Sequence, residues 1–182
     1  MKNKTKYSPG LGYSGEVTYK IVKNNKVFKQ ETLHNTGTIN LFTALCRSLA
    51  GMRTQEAFPA KIQLYKKAAQ QLQSLSDLEL PSDLGDDLTA PLLYSNIPII
   101  EVDAGIPKVT FQFVIPYALI TDPSEITYAI LYPNKSNISP GDALAWLDLT
   151  SGGSTPIESP DLKENVQFLV NWTMKFQNLR EE

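Results

Sequence analysis

From Val166 to Phe176 the chain alternates with little interruption: Val166, Phe168, Val170, Trp172, Met174 and Phe176 are apolar, and Gln167, Asn171, Thr173 and Lys175 fall between them. A β-strand turns successive side chains to opposite faces, so this stretch reads as a strand with one buried and one wet face. At about 3.4 Å per residue it reaches more than 30 Å, long for a globular sheet. A strand of that length needs long neighbours.

Period two recurs at Val17, Tyr19 and Ile21, with Glu16, Thr18 and Lys20 opposite. Asn24-Asn25 then suits a two-residue hairpin loop, because asparagine tolerates positive φ, and Lys26 to Leu33 returns as the partner strand. Further short strands are expected at Ala60 to Leu64, Val109 to Ile115, Ile126 to Tyr132 and Ala143 to Leu149. Ile39, Phe42, Leu45, Cys46 and Leu49 recur at helical spacing and predict one helix over about 36–51, with Thr36 or Thr38 at its start, Gly51 at its end and those five residues as its buried face. His34, at the junction of strand and helix, is expected to bond oxygens near the helix start. No βαβ alternation is present, which sets aside doubly wound and α/β-barrel folds. The expected fold is mainly β: an antiparallel β-sandwich with one inserted α-helix and a long irregular excursion.

Residues 1–14, with Pro9, Gly10 and Gly12, read as an extended N-terminal arm, and 15–182 as a single domain. The excursion, about 67–98, is acidic in its middle and broken by Pro81, Gly85, Pro91 and Pro98. It is far longer than the usual connection of about 4 to 6 residues, and a short helical turn is expected in it near Leu72 to Leu78.

Chemistry is sparse. A formal charge of -2, from 17 basic and 19 acidic residues scattered along the chain, lacks the concentrated positive potential of a nucleic-acid binder. One cysteine, Cys46, forms no internal disulfide, and one histidine, His34, excludes metal sites built on His pairs. Nucleophile elbows and phosphate-binding glycine loops are missing from the sequence, so no catalytic residue and no cofactor is assigned, and the chain is read as non-enzymatic. Asp77, Glu79, Asp83, Asp86 and Asp87 invite a calcium reading, but their spacing does not match an EF-hand and a solvated acidic loop is the simpler expectation. Without an apolar run of about 18 residues or a secretory leader, a cytoplasmic origin and no membrane partner are expected. Trp146 and Trp172 are assigned to the core; Tyr13, Tyr94 and Tyr132, near loops or strand ends, are placed where rings meet partners.

The stretch from Gly12 to Gly51, with His34-Asn35-Thr36-Gly37-Thr38 leading into a helix that ends in Leu49-Ala50-Gly51, resembles the N-terminal region of small minor virion proteins of tailed bacteriophages. ITYAILYP, ALAWLDL and NVQFLVNWTMKF are similar to the closing strands of such β-rich modules. The resemblance implies a structural protein of a virion, made in the cytoplasm of a bacterial host, whose partners are copies of itself and other virion proteins. Capsid surface, head fibre, neck and tail or baseplate all stay open as its station. Contacts are expected from the arm, through Tyr7, Pro9, Leu11 and Tyr13, and from the excursion, through Leu84, Leu88, Leu92 and Tyr94. Eight leucines lie between Leu72 and Leu93 and need cover, from a partner subunit or from their own domain. The alternative function is a carbohydrate-binding or adhesive β-sandwich module.

Overall fold

The computed structural model describes residues 10–51, 59–76, 78–151 and 165–179. Its first two strands, β1 (Gly10–Lys23) and β2 (Lys26–Gly37), form the expected hairpin, closed by Asn24 and Asn25 at φ 49° and 62°. The long alternating segment is β10 (Val166–Leu179), which pairs with β1 along its whole length, from Gly10 opposite Leu179 to Lys23 opposite Val166. Beyond β10 come β7 (Ile106–Pro116) and then β6 (Ile99–Asp103). On the other side, the end of β2 leaves β1, and Thr36 and Gly37 pair with β9 (Ala145–Asp148). Then follow β8 (Ile126–Pro133) and β3 (Pro59–Lys67), whose outer edge is shared by β4 (Leu84–Asp87) and β5 (Leu92–Leu93). The class is mainly antiparallel β, as expected. All ten strands hydrogen-bond as one sheet, with β2 as the hinge between its halves, instead of dividing into two unconnected sheets.

Both halves contribute to one core. Val17, Tyr19, Ile21, Phe113, Phe168, Val170 and Trp172 from the first half meet Ile62, Leu64, Ala129, Leu131, Ala145 and Leu147 from the second. Burial of this apolar surface is the main force closing the fold. Every residue of β8 is buried, so this strand is covered on both faces. A second cluster, Tyr65, Tyr128, Ile130, Tyr132 and Ala143, lies behind it with Leu80 and Leu84 of the excursion.

That cover corrects two expectations. Residues 67–98 hold the short helical turn expected near Leu72 to Leu78, as α2 (Gln73–Ser76), but they are not otherwise irregular throughout, because they also contain strands β4 and β5. Leu84 and Leu88, expected at an interface, are buried in their own chain. Leu84 covers the second apolar face of β8, whereas Leu88 reaches the main core, its N–H bonded to the Leu64 carbonyl at 2.7 Å. Tyr132, placed near a partner by sequence, is fully buried in the second cluster.

The helix, α1 (Ile39–Leu49), is shorter and turned from its expected orientation. Leu41 is its buried anchor, Ala44, Leu45 and Ser48 are half-buried, and Ile39 and Phe42 are 61% and 39% exposed. Cys46, expected inside, is exposed. Gly37 ends β2, so Thr36 is in a strand, and Thr38 is buried with its hydroxyl donating to the Ala143 carbonyl oxygen at 2.6 Å. This tie fixes the helix's approach, and the turned face follows from it. Gly51 adopts the expected positive φ, 76°. His34 is an exposed residue of β2 opposite Glu16, not a cap of the helix. The expected arm shortens too: residues 10–14 are the first part of β1, because β10 is long enough to pair with them.

Candidate functional site

Of the arm residues assigned to contacts, Tyr7 and Pro9 lie outside the described residues. Leu11 and Tyr13 belong to β1, opposite Asn178 and Phe176 of β10. In the excursion, Leu92 is half-buried against the core and Tyr94 is partly exposed, with its ring 6.2 Å from that of Phe111. Of the four excursion residues, then, Leu84 and Leu88 face inward, and Leu92 and Tyr94 stand at the margin of the core.

The acidic residues do not assemble, because each described carboxylate has its own partner. Glu79 accepts from the Ile39 N–H at 2.7 Å. Asp83 accepts from the Tyr128 hydroxyl at 2.5 Å and pairs with Lys67 at 3.0 Å. Asp86 pairs with Lys66 at 3.3 Å, and Asp87 accepts from the Gln63 amide at 2.8 Å. Burial alone would raise the Asp83 pKa, but the Tyr128 hydroxyl and the Lys67 ammonium outweigh it and hold the carboxyl below its usual range. Asp77 lies outside the described residues. Among the described residues no group of three or more His, Cys, Asp or Glu could hold a metal ion, and no helix is long and apolar enough to cross a membrane.

Comparison with protein-family models, with curated proteins and with solved structures finds no match. The site is therefore argued from geometry alone.

The largest departure from an ordinary protein surface is at β6. The sheet has two ends. One terminates in β4 and β5, of four and two residues, which share the edge of β3. At the other end all five residues of β6 are exposed, and three of them are Ile99, Ile100 and Val102. Ile100 and Val102 are 79% and 71% exposed, and Ile97 stands beside them, also exposed. An apolar edge strand is a template for another chain, and proteins ordinarily blunt such edges. Here two carboxylates are the only polar side chains of the strand, and Lys108 of β7 pairs with both, with Glu101 at 3.2 Å and Asp103 at 3.5 Å. These pairs raise the Lys108 pKa, chiefly through the hydrogen bond to Glu101, and offset one of the strand's two negative charges. The sequence carried a signal for this strand in Ile97, Ile99, Ile100 and Val102 followed by the turn Ala104-Gly105. Pro98, read as the end of the excursion, obscured it.

A second feature is a cleft of about 510 Å³ beside the β1–β2 turn, lined by Asn24, Asn25, Asn165, Gln167 and Tyr117 among others. Its amides could accept and donate to hydroxyls, but the Tyr117 ring is buried and presents little face for stacking.

Proposed function

We propose that this chain is a non-enzymatic structural protein of a tailed-bacteriophage virion, making repeated protein–protein contacts in the particle. The observation that carries the contact part is β6, an edge strand with three exposed apolar side chains. Burying an exposed Ile or Val side chain stabilises a contact by about 1.5 to 3 kcal/mol, so three of them with edge hydrogen bonds supply a useful seam. The virion part is supported by the resemblance of the hairpin, the His34-to-Thr38 element and the closing strands.

Mass spectrometry of purified particles tests it. The chain should be present in many copies, and replacing Ile100 and Val102 by lysine should reduce incorporation while circular dichroism shows the sheet intact. A protein absent from particles and monomeric at high concentration would overturn the reading. The amide-lined cleft is the observation that favours the rival reading, a carbohydrate-binding module. Saturable binding to a glycan array, lost on Asn24→Ala and Asn165→Ala, would then be found instead.

A further inference from the structure

We propose that one end of the sheet, formed by the β1–β2 turn and the segment after β7, rests on an anionic phospholipid surface, with lysines at the lipid phosphates and Val27, Phe28 and Leu119 entering the interface. This goes beyond the assembly reading and does not rest on it.

The register places these residues together. β10 begins at Val166, opposite Lys23, the last residue of β1, and β7 ends at Pro116, opposite Gln167. The Asn24-Asn25 turn and the single 3-10 turn Tyr117–Leu119 therefore leave the sheet at the same end. Val27, Val22, Gln167 and Pro116 form one row across four strands, and the last three line the amide cleft. Lys20, two residues before Val22, is on the same face. Phe28 is the extra residue between the pairs Val22–Val27 and Ile21–Lys29, a β-bulge, and is 58% exposed. Val27 and Leu119 are more than half exposed.

The charge of this end opposes that of the chain. Residues 20–30 contain Lys20, Lys23, Lys26 and Lys29 and no carboxylate. Glu31 takes Lys29 at 3.3 Å. Asp122, near enough to Tyr117 to act on its hydroxyl, accepts from the N–H and hydroxyl of Ser124. Four lysines against these two carboxylates give the described part of the turn and of the segment through Asp122 a net positive charge, in a chain whose formal charge is -2.

Residue type then selects the occupant. The cores of protein–protein interfaces are depleted in lysine, and this cluster has four lysines and no arginine. A phosphodiester backbone engages ammonium groups but gains nothing from Val27, Phe28 and Leu119. A bilayer surface uses both kinds of side chain: its phosphates take the ammonium groups, and apolar residues enter the boundary between headgroups and acyl chains. The cleft adds the amides of Asn24, Asn25, Asn165 and Gln167, which are donors for a headgroup phosphate. The chain lies on such a surface and does not span it, so no long apolar helix is needed.

Sedimentation of the full chain with lipid vesicles tests this. Vesicles of equal parts phosphatidylcholine and phosphatidylserine should bind it, more weakly as salt rises, and vesicles of phosphatidylcholine alone should not. Lys20→Gln with Lys26→Gln should lower the partition coefficient at least about tenfold, since each lysine near the surface contributes about fivefold. Lys67→Gln with Lys108→Gln removes the same charge from β3 and from the opposite end of β7, and should lower it at most about twofold. Val27→Ser with Phe28→Ser should also weaken binding, with unchanged circular dichroism. An environment-sensitive dye on Phe28→Cys, in a chain carrying Cys46→Ser because Cys46 is exposed, should shift to the blue on the phosphatidylserine vesicles, and the same dye on Val102→Cys should not. A chain that ignores these vesicles, equal losses from the two lysine pairs, or a Phe28→Cys dye that stays in water would overturn the proposal. Tighter binding to polyglutamate or to duplex DNA than to the vesicles would overturn it too, and would give this end to an acidic protein or to a nucleic acid.

Discussion

The Glu79 carboxylate accepts a hydrogen bond from the Ile39 N–H at 2.7 Å, and so supplies the N-terminal cap of a helix 40 residues earlier in the chain. Thr38, at the capping position, makes no side-chain cap, its hydroxyl being turned toward the Ala143 carbonyl, to which it donates. A negative group at this end also meets the positive pole of the helix dipole. The same residue offers its carbonyl to the Trp146 indole N–H at 3.0 Å. Glu79 thus joins α1, the excursion and β9. Glu79→Ala should lower stability by about 0.5 to 2 kcal/mol, and Glu79→Gln by less, because the amide oxygen can still accept. Urea denaturation of the three proteins checks the order.

The turned helix gives a second prediction. Leu41→Ala should cost about 2 to 5 kcal/mol, as truncations of fully buried residues do, and Phe42→Ala well below that. Asn40→Ala should cost about 1 kcal/mol, since its amide donates to the carbonyls of Gly141 at 2.8 Å and Ala143 at 3.2 Å. Denaturation midpoints that rank Phe42 above Leu41 would restore the face read from periodicity.

Strands and turns with a local cause were legible in the sequence. The alternation of Val166 to Phe176 and the Asn24-Asn25 turn needed only the two-residue period and a residue that accepts positive φ. Failures came where a distant element decided. Ile39, Phe42 and Cys46 do form an apolar helical stripe, but Thr38 and Asn40, tied to residues 141–144, set which stripe faces inward. Leu84 looked like uncovered surface because β8 was given only one buried face. ITYAILYP is apolar on both faces, apart from one threonine, and that signature of a doubly covered strand announces a lid. β6 was passed over because burial patterns reveal what a strand packs against, and all five of its residues are exposed.

Behind β8, four polar side chains form a directed chain. Gln63 donates through its amide to Asp87 and to the Thr89 carbonyl, each at 2.8 Å, so its oxygen is the acceptor for the Tyr65 hydroxyl at 2.9 Å. Tyr65 has one proton, already given, so Tyr132 is the donor in the 2.7 Å contact between the two hydroxyls. Tyr65→Phe therefore takes away the donor to the Gln63 amide oxygen and the acceptor for the Tyr132 hydroxyl, whereas Tyr132→Phe removes only the last donor. The first should cost about 2 to 3 kcal/mol and the second about 1, by thermal or urea unfolding. The reverse order would show that the chain runs the other way.

Stability should fall at both ends of the pH scale, through different groups. Asp142, held low by the Lys135 ammonium and by Ser139, and Asp83 both have folded pKa values below the ordinary 3.8. Protonation is therefore disfavoured in the fold: their contribution is present above the unfolded value and is lost as the pH drops from about 5 through the folded values. Asp142→Asn should flatten that acid limb. Burial raises the pKa of Tyr65, Tyr128 and Tyr132 above 10.0, so the fold favours their neutral form, and its advantage disappears as the pH climbs past the unfolded value. Phenolate absorbance should rise in two stages, the later one together with loss of the fold.

Gly85 marks the tightest approach in the lid. A Cβ there would come within 2.9 Å of the Ala68 nitrogen and the Lys66 oxygen, and 3.0 Å of the Lys67 carbonyl carbon, all of them backbone atoms that cannot swing aside. The spot coincides with a register shift between β3 and β4, where the pairing passes from Tyr65–Asp87 to Lys67–Leu84. Adding a methyl group must push β4 outward, and Leu84, its first residue, is the one that fills the second cluster beside Tyr65 and Tyr128. Gly85→Ala should then cost about 1 to 3 kcal/mol and weaken the near-ultraviolet dichroism of the tyrosines packed under the lid. Gly141→Ala is the control, because its Cβ would meet only side-chain atoms at 3.8 and 3.9 Å, and its effect should stay within about 0.5 kcal/mol. Equal denaturation midpoints for the two variants would mean that β4 yields freely and that the lid is held by its leucines alone.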